Sequence, residues 1–126
     1  MFAKVVLIAT GLMYLAFGVA FLAAPTRLGG WVHLGVDHPV ARTELRAFYG
    51  GLEIGLAVFL LLCARRPGWV AAGLLAAALV LGCTAAARIV GMMVDRSTGT
   101  TLVAILLVEA AFAVAAAAAL VVARPR

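Results

Sequence analysis

The stretch ELRAFYGGLEIGLAVFLLLCA, Glu44 to Ala64, decides the fold. Its 21 residues, at 1.5 Å of rise each, span about 31 Å as a helix. That matches the hydrocarbon thickness of a bilayer, so the stretch reads as a membrane-spanning helix. Its C-terminal end is closed by Arg65-Arg66-Pro67-Gly68, a basic interfacial stop followed by a turn. One residue violates the apolar pattern. Glu53 stands in the interior, where a carboxylate costs several kcal/mol unless it is paired or neutralised.

The flanking sequence repeats the pattern. Apolar runs near residues 3–24, 69–90 and 101–123 each meet the length of about 20 residues that a span needs. The first ends at Pro25, which cannot continue a helix. The Pro67-Gly68 turn makes the second and third spans an antiparallel hairpin. The chain is therefore expected to be one all-α domain over its 126 residues, an integral membrane bundle of four transmembrane helices. A hydrophobic share of 67%, against roughly 45–50% in soluble proteins, excludes a soluble globule. The N-terminal run exceeds a signal-peptide core of about 7–15 residues and is read as a retained helix.

The outer connection, residues 25–43, contains Trp31, which suits the membrane–water interface. It also contains Asp37-His38-Pro39, a helix start with Pro in the first turn. On this reading helix two begins outside the lipid near Pro39. His33, Asp37 and His38 fall short of zinc-ligand spacings and are read as polar loop residues.

The net charge of +5 belongs to the ends of the apolar runs. With the N-terminus inside, Lys4, Arg65, Arg66, Arg124 and Arg126 are internal and Arg27, Arg42 and Arg96 external, five against three. Adding Arg46 and Arg88 to the external side gives five against five. The positive-inside rule thus favours both termini in the cytoplasm by a small margin. No basic stripe interleaves with aromatics in a polar segment, so nucleic acid is not expected as a partner. Cys83 lies fourteen residues beyond Trp69, about 20 Å of rise from the helix-two end that holds Cys63. That is too far for a disulfide, and both cysteines are expected to be buried small hydrophobes.

The candidate site follows from depth. Glu53 lies about 9 Å, and Glu109 about 12 Å, below the outer surface by helical rise. Arg88 lies near the outer end of helix three and can reach down toward them. Arg46, seven residues before Glu53, is expected on the same face two turns higher, with Glu44 beside it at the interface. Tyr49, Gly50 and Ala57 extend that face, which is read as lining a polar cavity, with packing on both faces of the helix as the alternative. Ala47, Gly51 and Gly55 form a small-residue row on the opposite face, suited to helix packing. The candidate ligand-binding residues are thus Glu53, Glu109, Arg88, Arg46, Tyr49 and Glu44. An ion-pair network that fixes helix register weighs equally with a ligand site. No catalytic, metal or cofactor motif is present: the chain has no nucleophile elbow, phosphate loop or haem-attachment motif.

The segments Gly11-Leu12-Met13-Tyr14-Leu15-Ala16-Phe17-Gly18, Arg46-Ala47-Phe48-Tyr49-Gly50-Gly51 and Arg88 with Gly91 and Asp95 resemble a family of small bacterial four-helix membrane proteins known only as a domain of unknown function. The resemblance implies the four-helix fold and a bacterial inner membrane, and carries no activity. A looser similarity to DoxX-like proteins, some associated with quinone-linked redox complexes, is one of fold alone. Three function classes are expected, in this order. The first is a binding or accessory protein whose Glu/Arg site holds a small ligand or lipid, or supports a larger membrane complex. The second is a proton-coupled transporter, which at this length requires a homo-oligomer. The third is an enzyme on a lipophilic substrate, using the two carboxyls as acid and base.

Overall fold

The computed structural model describes residues 1–123, so Arg124 and Arg126 of the charge tally lie outside the described residues. Four of its helical segments are long and apolar enough to cross a membrane, and the chain is all-α. Helix α1 covers Phe2–Ala23 and stops where Ala24 leaves helical geometry (φ −137°, ψ 58°). Pro25 then opens a short helix α2, Pro25–Trp31, since its missing N–H is no loss in a first turn. The connection read as a loop over 25–43 is therefore largely helical.

The second span begins at Pro39, with His38 as its N-cap: the Val40 N–H donates to His38 Nδ1 at 3.2 Å. It runs as α3 (Pro39–Leu45), a π-helical turn (Arg46–Gly51) and α4 (Leu52–Arg65). A 3₁₀ turn over Pro67–Trp69 leads into α5 (Val70–Val94), and α6 covers Thr100–Ala123. At the hairpin turn the Arg66 guanidinium lies 4.6 Å from the Trp69 ring, a cation–π pair suited to the interface.

α1 is the centre of the bundle. It packs most extensively on α4 and also touches α5 and α6, while α5 pairs mainly with α6. Of its apolar window 39% is buried, against 11% for α6, so α6 is the least buried of the four spans within the bundle. The buried residues Leu7, Gly11, Tyr14, Gly18 and Phe21 recur at alternating steps of four and three. That is the seam spacing of helices that wrap one another. In the second span Gly50, Ala57, Leu60 and Ala64 are buried on the same repeat.

The two seams meet antiparallel through their smallest members. A Cβ on Gly18 would stand 2.9 Å from the Gly50 carbonyl oxygen, and one on Gly11 3.3 Å from that of Ala57. Small residues seven apart on each helix thus let the backbones close in. In lipid this matters because apolar side chains gain nothing by leaving the solvent, and close packing drives association. At the far end Gly73 brings α5 against Cys63, whose Cβ lies 2.6 Å from where a Gly73 Cβ would be.

Two expectations are overturned here. The row Ala47, Gly51 and Gly55 does not pack within the bundle: all three are exposed, and a Cβ on Gly55 would meet nothing within 4 Å. The face with Gly50 and Ala57 is the packed one, as the packing alternative had it and not the cavity reading. The reason is that α1 carries its glycines at a seven-residue spacing, which matches 50 and 57 and not a four-residue row. Cys83 is exposed rather than buried, because the inward stripe of α5 runs through Leu74, Ala77, Leu81 and Ala85 and leaves residue 83 on the opposite side. Cys63 is buried, and both thiols are free.

Gly18→Ala is expected to lower stability in detergent by a net 1–2 kcal/mol or so, because overpacking against a backbone carbonyl outweighs the helix-propensity gain. Gly55→Ala has open space and should melt at or above wild type. Thermal melting of the two variants side by side checks the assignment of the packed face.

Candidate functional site

Each interior charge occupies an inward stripe position. Glu53 falls between Gly50 and Ala57 in the seam of the second span. Glu109 precedes Phe112, Ala116 and Ala119 on the face of α6 that meets the core. Arg88 follows Leu81 and Ala85 on α5. The seam geometry, not chance proximity, therefore turns all three toward the bundle interior.

Arg88 and Glu109 form a bidentate pair. Arg88 Nε donates to Glu109 Oε2 at 3.0 Å and Arg88 Nη2 to Glu109 Oε1 at 2.7 Å. The Glu109 side chain is 13% exposed and that of Arg88 24%. Two parallel charge-assisted hydrogen bonds satisfy both carboxylate oxygens and tie α5 to α6. Where water is scarce, this pairing lets two charges persist together.

Glu53 has no such clamp. Its Oε2 atom is buried and has no hydrogen-bond partner among the described residues. Glu53 lies within electrostatic reach of Glu109, and Tyr14, which is 9% exposed, lies within reach of both carboxyls. Tyr14 is the member of the α1 seam between Gly11 and Gly18, level with Glu53 across the α1–α4 contact. An unpaired buried carboxyl oxygen is costly, since it forgoes the hydrogen bonds that water supplied in the unfolded chain.

Arg46 departs from its expected position. It does not pair with a carboxylate among the described residues; its Nε donates to the Leu22 carbonyl oxygen at 3.1 Å. Leu22 lies in the last turn of α1, where carbonyls lack intrahelical partners and a cation is favoured by the helix dipole. The expected shared face of Arg46 and Glu53 assumed a regular α-helix. The π-helical turn between them fits an extra residue, closed by the Leu52 N–H donating to the Ala47 carbonyl, and it shifts their relative phase. The Gly50-Gly51 pair at the end of that turn gives little resistance to the departure.

Tyr49 stacks on Phe21, with ring centroids 5.0 Å apart at 30°, and stays 43% exposed. It lies within electrostatic reach of Arg88, at the edge of the group. Glu44 is exposed and takes part in no ion pair among the described residues. The structure thus brings together Glu53, Glu109 and Arg88, with Tyr49 beside them, and separates Glu44 and Arg46. Sequence reading missed Tyr14 as a member. Its signal was the spacing Gly11, Tyr14, Gly18, which puts a phenol on the same seam as two glycines.

The family described as a domain of unknown function, DUF4345, matches residues 2–120, and the chain belongs to it. No curated protein and no solved structure matches the chain.

Removing one partner of the clamp strands the other. Arg88→Ala is expected to cost roughly 2–4 kcal/mol, somewhat below the range for a wholly buried pair because Arg88 is partly exposed. The double variant Arg88→Met/Glu109→Leu should recover most of that loss. A double-mutant cycle by thermal melting in one detergent measures the coupling, and additive effects would refute the clamp.

Proposed function

We propose that this protein is a small membrane binding or accessory protein whose interior carboxyl, Glu53, receives the hydrogen-bond donor of a small ligand or lipid. The observation that carries this reading is the buried Glu53 Oε2 atom, without a partner among the described residues, set in the close seam between α1 and the second span. A purely structural lock would be expected to satisfy its acceptors, as Glu109 is satisfied by Arg88. The complementary ligand carries an O–H or N–H group on a largely apolar body, because Gly50 and Ala57 flank Glu53 on its own helix and Tyr14 faces it across the seam. The Arg88–Glu109 clamp then holds α5 and α6 in place beside the carboxyl. The Arg-Ala-x-Tyr-Gly-Gly segment, which builds the π-helical turn directly before Glu53, belongs to this function on the same reading.

A second reading is supported by one feature. Glu53 and Glu109 are within electrostatic reach, and only Glu53 lacks a counterion, so a single proton exchanging at Glu53 would serve proton-coupled transport in an oligomer. Acid–base catalysis by the two carboxyls has less support, because Arg88 holds both oxygens of Glu109. We place the protein in a bacterial inner membrane, with both termini cytoplasmic and the Arg88 end of the bundle outward.

Native mass spectrometry of protein extracted from its own membrane is expected to reveal a bound donor-bearing species. Glu53→Gln should lose it at least about tenfold, the cost of one charge-assisted hydrogen bond, without a lower melting temperature. Equal retention by Glu53→Gln would sink the reading. Proton-linked flux in proteoliposomes that vanishes in Glu53→Gln would select transport instead. For orientation, a Ser97→Cys variant lacking Cys63 and Cys83 should react with a membrane-impermeant maleimide added outside intact spheroplasts, and labelling only after lysis would reverse the topology.

A further inference from the structure

At the Arg88 end of the bundle a groove of about 490 Å³ opens between the end of α2 and the turn that joins α5 to α6. Its polar lining is Arg96, His33, Ser97, Thr98, Thr100 and Thr101. Every one of these side chains can donate a hydrogen bond, and among the described residues no carboxylate lines the groove. The nearest acid in sequence, Asp95, is not among the lining residues; its Oδ2 lies 3.9 Å from where a Cβ on Gly91 would stand. Trp31 completes one wall. A Trp at this position marks the depth of lipid head groups.

The two cationic-type residues of the groove share a further property. Among the described residues, His33 (φ 57°) and Arg96 (φ 48°) are the non-glycine residues with left-handed backbone. Each ends a helix in the same way. The Leu34 N–H donates to the Gly29 carbonyl across His33, and the Ser97 N–H to the Met92 carbonyl across Arg96. Both sit where helices ordinarily place glycine, because a Cβ is strained there. A glycine at either position would stabilise the chain and would remove a donor from the groove.

We propose that this groove is a phosphate-binding site at the membrane surface, with Arg96 as its principal cation and His33 and the four hydroxyls as further donors. It is separate from Glu53 and does not depend on the function assigned there. Arg96 supplies a fork of N–H groups that fits two phosphate oxygens at once. The first turn of α6, starting at Thr100, adds amides of favourable dipole beside those side chains. The phosphate is that of an anionic phospholipid or a free phosphate.

The test uses the purified full chain in a neutral detergent, with phosphatidylglycerol, phosphatidylcholine and inorganic phosphate as probes in native mass spectrometry. Wild type is expected to bind phosphatidylglycerol or inorganic phosphate, and Arg96→Gly to bind the same probe about tenfold more weakly. Arg96→Gly should at the same time melt at or above wild type, because the backbone strain is relieved. Arg96→Lys should retain part of the binding. Preference for phosphatidylglycerol with no competition from inorganic phosphate assigns the lipid head group; displacement by inorganic phosphate assigns the free ion. Unchanged binding in Arg96→Gly overturns the proposal. So does binding of phosphatidylcholine equal to both other probes, or a loss of binding that Arg96→Lys does not restore.

Discussion

The close antiparallel contact of α1 with α4 governs this structure. Gly11 and Gly18 on one helix face Ala57 and Gly50 on the other, close enough that an added Cβ would press on a backbone carbonyl. In lipid there is little hydrophobic gain from bringing helices together, so the approach that small residues permit is the main source of cohesion. The same seven-residue spacing sets what lies between the small pairs. On α1 that is Tyr14, and on the second span it is Glu53. The carboxyl sits inside the bundle because packing places its position there.

From that contact the polar arrangement follows in steps. α1 occupies the centre, touching α4, α5 and α6, so groups on those three helices converge beside it. Arg88 closes on Glu109 and neutralises the charge on α6. Glu53 keeps a buried oxygen without a partner among the described residues. Two acids at similar depth thus have different chemical situations, one clamped and one open. The π-helical turn before Glu53 sends Arg46 to the end of α1, where it satisfies the Leu22 carbonyl rather than a carboxylate. One irregular turn therefore accompanies the separation of Arg46 from Glu53.

The face pointing to the surface at the same end obeys different physics. There the backbone is wet, helices need caps, and His33 and Arg96 take left-handed caps at a cost that glycine would not incur. Their placement on one groove with four hydroxyls is a pattern of side chains separated by more than sixty positions in sequence. Nothing local in either loop announces it.

The sequence by itself determined the four spans, the Pro25 break, the His38-Pro39 start and the presence of two interior acids. Length, hydropathy and Pro chemistry are local properties, and a bilayer enforces them segment by segment. It also determined that Arg88 lay within reach of an acid, since helical rise converts residue count into depth. Only the tertiary structure decided which small residues pack. Gly50-Gly51 offers two faces, and the choice depended on the glycine spacing of a different helix. Only the tertiary structure showed that Arg46 and Glu53 part company, because a helical wheel assumes a regular turn that residues 46–51 do not keep. The partner of each charge was likewise a long-range matter: it depended on which helices α1 drew together.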